Sequence, residues 1–155
     1  MAAAYFVDSS GLVKRYVQET GTAWVRRHTR SNPSTIIYIA QITTVEVTCA
    51  IARRRKGKTI SAAKASSILR RFDQHIAGRY TVLGVTPALL EQARRQGRTH
   101  SLRAYDAVQL AVALEASRYH RAQCAAPVTL ISADQALNDA ATAEGLTVDD
   151  PRSHP

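Results

Sequence analysis

Leu102-Arg103-Ala104-Tyr105-Asp106-Ala107-Val108-Gln109-Leu110-Ala111-Val112-Ala113-Leu114 reads as a helix that is apolar over most of its circumference, and a helix of that kind lies deep inside its domain. Asp106 interrupts the pattern. On a 3.6-residue period it shares a stripe with Leu110, Ala113 and Leu114, where an unpaired carboxylate is costly. Two partners would relieve it: Arg103, one turn back on the same side, or a metal ion.

The segments around this helix alternate between strand and helix. Ala3 to Val7 reads as a short buried strand, followed by a helix over Ser9 to Gln18 and a shorter one over Thr22 to Arg30. After the loop Ser31-Asn32-Pro33-Ser34, Thr35 to Gln41 is strand-like, and a helix from Thr44 to Lys56 stops at Gly57. Ser61 is placed to cap a helix whose Ala65, Ile68, Leu69, Phe72 and Ile76 form one apolar stripe ending at Gly78. Tyr80 to Val85 is a third strand. Thr86-Pro87 opens a helix that Gly97 closes. Beyond the Asp106 helix, Tyr119 to Ala126 reads as a loop, Val128 to Ile131 as a fourth strand and Gln135 to Glu144 as a helix ending at Gly145. Leu146 to Val148 is a last edge strand, and Asp149 to Pro155 a loose tail. Strands joined by helical crossovers predict one three-layer α/β/α domain over residues 1–148, with a mostly parallel sheet of four to five strands.

The chain has 155 residues and carries 21 basic against 12 acidic side chains, a net charge of +9. Such a surplus favours polyanionic partners, nucleic acid above all. No apolar run approaches the ~20 residues of a membrane span, and no secretory leader is evident. Cys49 and Cys124 are too few for a disulfide framework or a zinc site, which points to a reducing cytoplasm. Cys49 reads as a small core residue, and His28, His75, His100, His120 and His154, without ligand spacing, as surface residues. Arg53-Arg54-Arg55-Lys56 ends a helix, where cations complement the macrodipole. The same run, with Arg26-Arg27, Arg70-Arg71 and Arg94-Arg95, could contact an RNA backbone.

Ligands of parallel sheets gather beyond the carboxyl ends of the strands. Asp8 follows the first strand, Asp134 follows the fourth, and Glu46 opens the helix after the second. Each has a local job available. Asp8 and Asp134 can cap the helices they precede, and Glu46 can close a capping box with Thr43. With Asp106, however, four acids on four elements converge on one sheet edge. Clustered carboxylates suit a hard divalent cation, Mg²⁺ or Mn²⁺, which takes oxygen ligands and can activate a water against a phosphodiester.

Tyr5-Phe6-Val7-Asp8-Ser9-Ser10-Gly11-Leu12-Val13, Thr43-Thr44-Val45-Glu46-Val47, Tyr105-Asp106-Ala107-Val108-Gln109-Leu110-Ala111-Val112-Ala113 and Leu130-Ile131-Ser132-Ala133-Asp134 resemble, in order and spacing, the four acidic motifs of the PIN-domain family. The resemblance runs from Ala4 to Val148. It implies a PIN-like fold and a Mg²⁺- or Mn²⁺-dependent endoribonuclease of the VapC type, the toxin of a type II toxin–antitoxin pair. Its substrate would be tRNA or ribosomal RNA. Asp8, Glu46, Asp106 and Asp134 would form the catalytic metal-binding quartet, with Asp139 close enough to compete for the fourth place. Asp8 and Asp106 would be direct ligands, and Glu46 would help hold or deprotonate the attacking water. Ser10 and Ser132 would steady a carboxylate or the substrate phosphate. A homodimer held inactive by a small VapB-type antitoxin is also implied. The alternatives are a PIN nuclease of RNA processing or decay, and a non-catalytic basic module that binds RNA or DNA.

Overall fold

The computed structural model describes residues 3–123 and 125–154. Five strands, β1 (Ala3–Val7), β2 (Thr35–Ala40), β3 (Thr81–Leu83), β4 (Val128–Ile131) and β5 (Thr147–Asp149), form one sheet in the order β3-β2-β1-β4-β5. Every pairing is parallel. Alternation along the strands sends their side chains to two cores. Phe6, Tyr38 and Leu130 pack with α5 (Pro87–His100), α6 (Ala104–Ala122) and α7 (Gln135–Ala143). Val7, Ile37, Ile39 and Ile131 pack on the opposite face with α1 (Ser9–Tyr16), α3 (Gln41–Lys56) and α4 (Ala62–Gly78). The remaining helix is α2 (Thr22–His28). The predicted α/β/α layering and parallel sheet are therefore observed.

Several expectations were local and correct. Ser61 caps α4 through Lys64 N–H, and Thr86 caps α5 with Pro87 in its first turn. Gly145 takes the left-handed conformation after α7, with φ +83°.

Others are corrected by tertiary contacts. Helix α3 begins at Gln41, directly after β2, so Glu46 lies in its second turn. Thr43 is then fully buried inside the helix and caps nothing. Gly57 has φ −76°, and Lys58 takes the left-handed turn instead. Gly97 does not close α5, which runs on to a left-handed Ser101. A Cβ at Gly97 would stand 3.5 Å from the Ala107 side chain, an ordinary contact, so the α5–α6 crossing does not require a glycine there.

Helix α6 continues through Tyr119–Ala122, read above as loop, because His120 turns inward. Its Nε2 lies 2.7 Å from the Tyr38 hydroxyl and its Nδ1 3.2 Å from the Ala126 carbonyl. His75 is not a free surface group either. It bonds the Tyr16 hydroxyl at 2.7 Å, and burial, with Arg15 nearby, lowers its pKa to about 4. Cys49 is exposed rather than in the core. The supposed loose tail packs: Asp149 ends β5, Pro151 is buried, and Trp24 stacks between His28 and His154. Cys124 lies outside the described residues. No helix among the described residues is long and apolar enough to cross a membrane.

Candidate active site at the sheet switch point

Strand order reverses at β1, whose neighbours β2 and β4 leave it by crossovers on opposite sides, and a crevice opens beyond its carboxyl end. Asp8, Glu46, Asp106 and Asp134 all line that crevice, a cavity of about 430 Å³, together with Ser10, Arg103 and Tyr105. Four positions spread over 127 residues of chain are thus brought to one place. Asp139 is not among them; it is exposed on α7 and accepts a hydrogen bond from Gln135.

Each carboxylate has a distinct environment. Asp8 is 2% exposed and caps α1, accepting from Gly11 N–H at 2.9 Å and from the Ser10 hydroxyl at 2.8 Å. Burial nevertheless raises its pKa to about 7, with the Glu46 charge adding to the rise and the two donors opposing it. Glu46 is pushed up by burial and by Asp106, against the hydrogen bond from Gln109. Asp106 is raised by burial and then by the neighbouring charge of Asp134, with Arg103 opposing. Asp134 caps α7 through Leu137 N–H at 3.0 Å. The capping roles predicted for Asp8 and Asp134 are real, and both caps leave the carboxylates on the cavity wall.

The two serines hold the loops around these acids. Ser10 Oγ donates to Asp8 and accepts from Ala133 N–H at 2.8 Å, which ties the end of β1 to the end of β4. Ser132 Oγ accepts from Asp134 N–H at 3.1 Å and is fully buried, so it steadies the Asp134 turn and cannot reach a substrate phosphate.

Gln109 and Tyr105 went unread in the sequence, and Arg103 was read only as a partner of Asp106. Gln109, one turn beyond Asp106 and 1% exposed, donates through Nε2 to both Thr43 Oγ1 (2.8 Å) and Glu46 Oε2 (2.5 Å). A lone amide within an apolar helix was the available signal. Arg103 donates from Nε to Asp106 at 3.1 Å and from its terminal nitrogen to Asp134 at 2.9 Å, so the ion pair considered above exists and extends to a second acid. Tyr105 is 60% exposed on the rim. Replacing Gln109 by Leu should remove the hydrogen bond that opposes the rise and push the Glu46 pKa higher still. An NMR titration of the carboxyl groups would check this, with a circular dichroism melt to confirm folding.

Three solved structures share this architecture. PAE2754 from Pyrobaculum aerophilum matches with a TM-score of 0.66 at 20% identity, over 99% of this chain and 94% of that one. VapC20 from Mycobacterium tuberculosis matches with a TM-score of 0.64 at 18% identity, over 97% and 99%. FitAcB from Neisseria gonorrhoeae matches with a TM-score of 0.62 at 20% identity, over 95% and 97%. This chain has the PIN-domain fold. No family model matches the sequence, and no curated protein does so either.

In this PIN fold the acidic cavity adjoins a larger groove of about 830 Å³, which shares Ser9, Ser10, Glu46 and Tyr105 with it. Val13, Ile42, Val45 and Ala50 give the groove an apolar lining, and Lys14, Arg53, Arg54 and Arg152 line it with cations. Glu19 already pairs with Lys14 and Arg54. The predicted basic helix end therefore does face a groove beside the acids.

The donor set is all carboxylate and hydroxyl oxygen, which suits a hard cation and excludes a soft thiolate–imidazole site. Among the described residues, no three His, Cys, Asp or Glu side chains are gathered closely enough to hold a metal as they stand. Arg103 occupies two of the four acids. Mg²⁺ asks for less than a full protein cage, since it keeps several waters and uses one or two carboxylates.

Proposed function

We propose that this protein is a divalent-metal-dependent endoribonuclease and the toxin of a type II toxin–antitoxin pair. The observation that carries the reading is the convergence of Asp8, Glu46, Asp106 and Asp134 on one cavity at the switch point of a basic α/β domain. Three fold neighbours support the role: VapC20 is a sarcin–ricin loop cleaving toxin, FitAB has been solved bound to a DNA fragment, and VapBC2 from Rickettsia felis bound to a DNA fragment from its promoter. A small VapB-type antitoxin, an RNA substrate from tRNA or ribosomal RNA, a homodimer and a cytoplasmic site of action belong to this proposal.

Asp8 and Asp106 would hold Mg²⁺ or Mn²⁺, with Glu46 and Asp134 completing the charge. The ion would supply an acidified water and a counter-charge for the attacked phosphate. Asp8 is kept in place by Gly11 N–H and Ser10, so its carboxylate needs no reorganisation to serve. Glu46, raised above its ordinary pKa and aimed by Gln109, is the proton acceptor for the attacking water. The positive groove beside it draws the RNA backbone, so binding should weaken steeply with salt.

The test is cleavage of bulk tRNA and ribosomal RNA with Mg²⁺, Mn²⁺ or EDTA, for wild type and Asp106→Asn. Discrete fragments that require metal and vanish in the variant are expected. Salt-sensitive RNA binding by both proteins, with no cleavage by either, would replace this reading with a non-catalytic binding module. Asp106→Asn should raise Tm in EDTA at pH 8, because the burial of its charge and the repulsion from Asp134 outweigh the lost pairing with Arg103.

A further inference from the structure

We propose that Arg103 is a resident counter-ion of the acidic site. Its guanidinium bridges Asp106 and Asp134 until a divalent cation held by Asp106 takes over that counter-charge, and it then meets the substrate phosphate at the cavity mouth. This inference rests on the ribonuclease reading above.

The argument begins with the asymmetry of the bridge. Asp106 and Asp134 arrive from different elements, α6 and the β4–α7 turn, and both are largely buried, with side chains 15% and 22% exposed. Asp134 is further fixed by Leu137 N–H and Asp106 by its place in the first turn of α6. Two such carboxylates repel each other unless a cation stands between them. Arg103 supplies that cation from outside. Its side chain is 80% exposed, and it reaches the two acids with two different nitrogens, Nε and a terminal one.

A guanidinium can do this because its donors diverge in a fixed plane, whereas an ammonium is a single compact charge. Although Arg103 is the N-cap residue of α6, its side chain makes no capping bond, so nothing in the helix start depends on where the guanidinium lies. Ion pairs this exposed contribute little to stability and are easily exchanged. The acids are therefore anchored and the arginine is not. That is the arrangement of a displaceable occupant, present when the metal is absent and a competitor when it arrives.

Once displaced, the guanidinium stays tethered at the rim beside Tyr105, adjoining the basic groove. Bidentate donation to a phosphate is the use its geometry favours.

The experiment is calorimetric titration of Mn²⁺ into metal-free wild type, Arg103→Gln and Arg103→Lys, with KM for RNA cleavage measured on the same proteins. Arg103→Gln should bind Mn²⁺ roughly threefold to tenfold more tightly, matching the loss of two exposed ion pairs, while its KM rises. Arg103→Lys should lie between the two in metal affinity and recover part of the KM. Tighter metal binding together with weaker RNA binding distinguishes this role from a merely structural one, which would weaken both. Unchanged or weaker Mn²⁺ binding by Arg103→Gln, with RNA still cleaved by wild type, would overturn the counter-ion role alone. An unchanged KM would overturn the phosphate contact. No Mn²⁺ binding and no cleavage by any of the three would overturn the ribonuclease reading along with it.

Discussion

Asp8→Asn should abolish cleavage and, in metal-free buffer at pH 8, make the protein more resistant to urea than wild type. The two effects share one cause. Burial lifts the Asp8 carboxyl from 3.8 to about 7, and the hydrogen bonds from Gly11 and Ser10 offset only part of that. Between about pH 4 and pH 7 the native state holds a proton that the unfolded chain has released. Native stability therefore falls as pH rises through that window, and above it the full cost is carried. Converted at 1.36 kcal/mol per pH unit, the cost is at most ~4 kcal/mol.

Asparagine carries no charge at any of these pH values, and its Oδ1 can still accept from Gly11 N–H. Its advantage should be slight at pH 4 and largest above pH 7, as read from urea midpoints in EDTA. Parallel pH profiles for the two proteins would contradict a strained, buried carboxylate at Asp8. Saturating Mn²⁺ should reverse the ranking at pH 8, since a bound cation relieves the wild type and has one ligand fewer in the variant.

Gly11→Ala is expected to destabilise the protein by about 1–3 kcal/mol, although alanine in place of a helical glycine ordinarily stabilises by about 0.5–1 kcal/mol. The sign turns on one distance. A Cβ at residue 11 would stand 2.8 Å from the Ile131 carbonyl oxygen and 3.3 Å from its carbonyl carbon. Ile131 cannot withdraw freely, because the same oxygen accepts from Asp8 N–H and the strand is paired on both sides. Helix α1 must move instead, taking with it the Gly11 N–H that holds Asp8. Cleavage should fall more than stability alone explains. Gly78 provides the control: it is also helical, but a Cβ there meets nothing within 4 Å. Gly78→Ala should be neutral or slightly stabilising, and urea melts of the two variants would separate steric contact from helix propensity.

Local chemistry was sufficient to read much of this protein from its sequence. The short, mostly apolar runs Ala3–Val7 and Val128–Ile131, the apolar stripe of Ala65, Ile68 and Phe72, and the caps at Ser61 and Thr86 all act within a few residues of themselves. They determine strand, helix and, through right-handed crossovers, a parallel sheet. Asp8 and Asp134 were legible for the same reason, because the end of a parallel strand is a local feature and ligands gather there, and Asp106 because it interrupts an apolar helix. What the sequence could not determine was which side chain meets which. Tyr38 and His120 are 82 residues apart, Thr43 and Gln109 66 apart, and Arg103 and Asp134 31 apart. Periodicity reports which way a residue faces from its own helix axis, and says nothing of the group that faces it. Only the packing of α3 and α6 over the sheet decided that Gln109 would aim Glu46, that Cys49 would lie open in a groove, and that one arginine would span two acids. Those contacts form between elements, and they exist only once sheet register and helix packing are set.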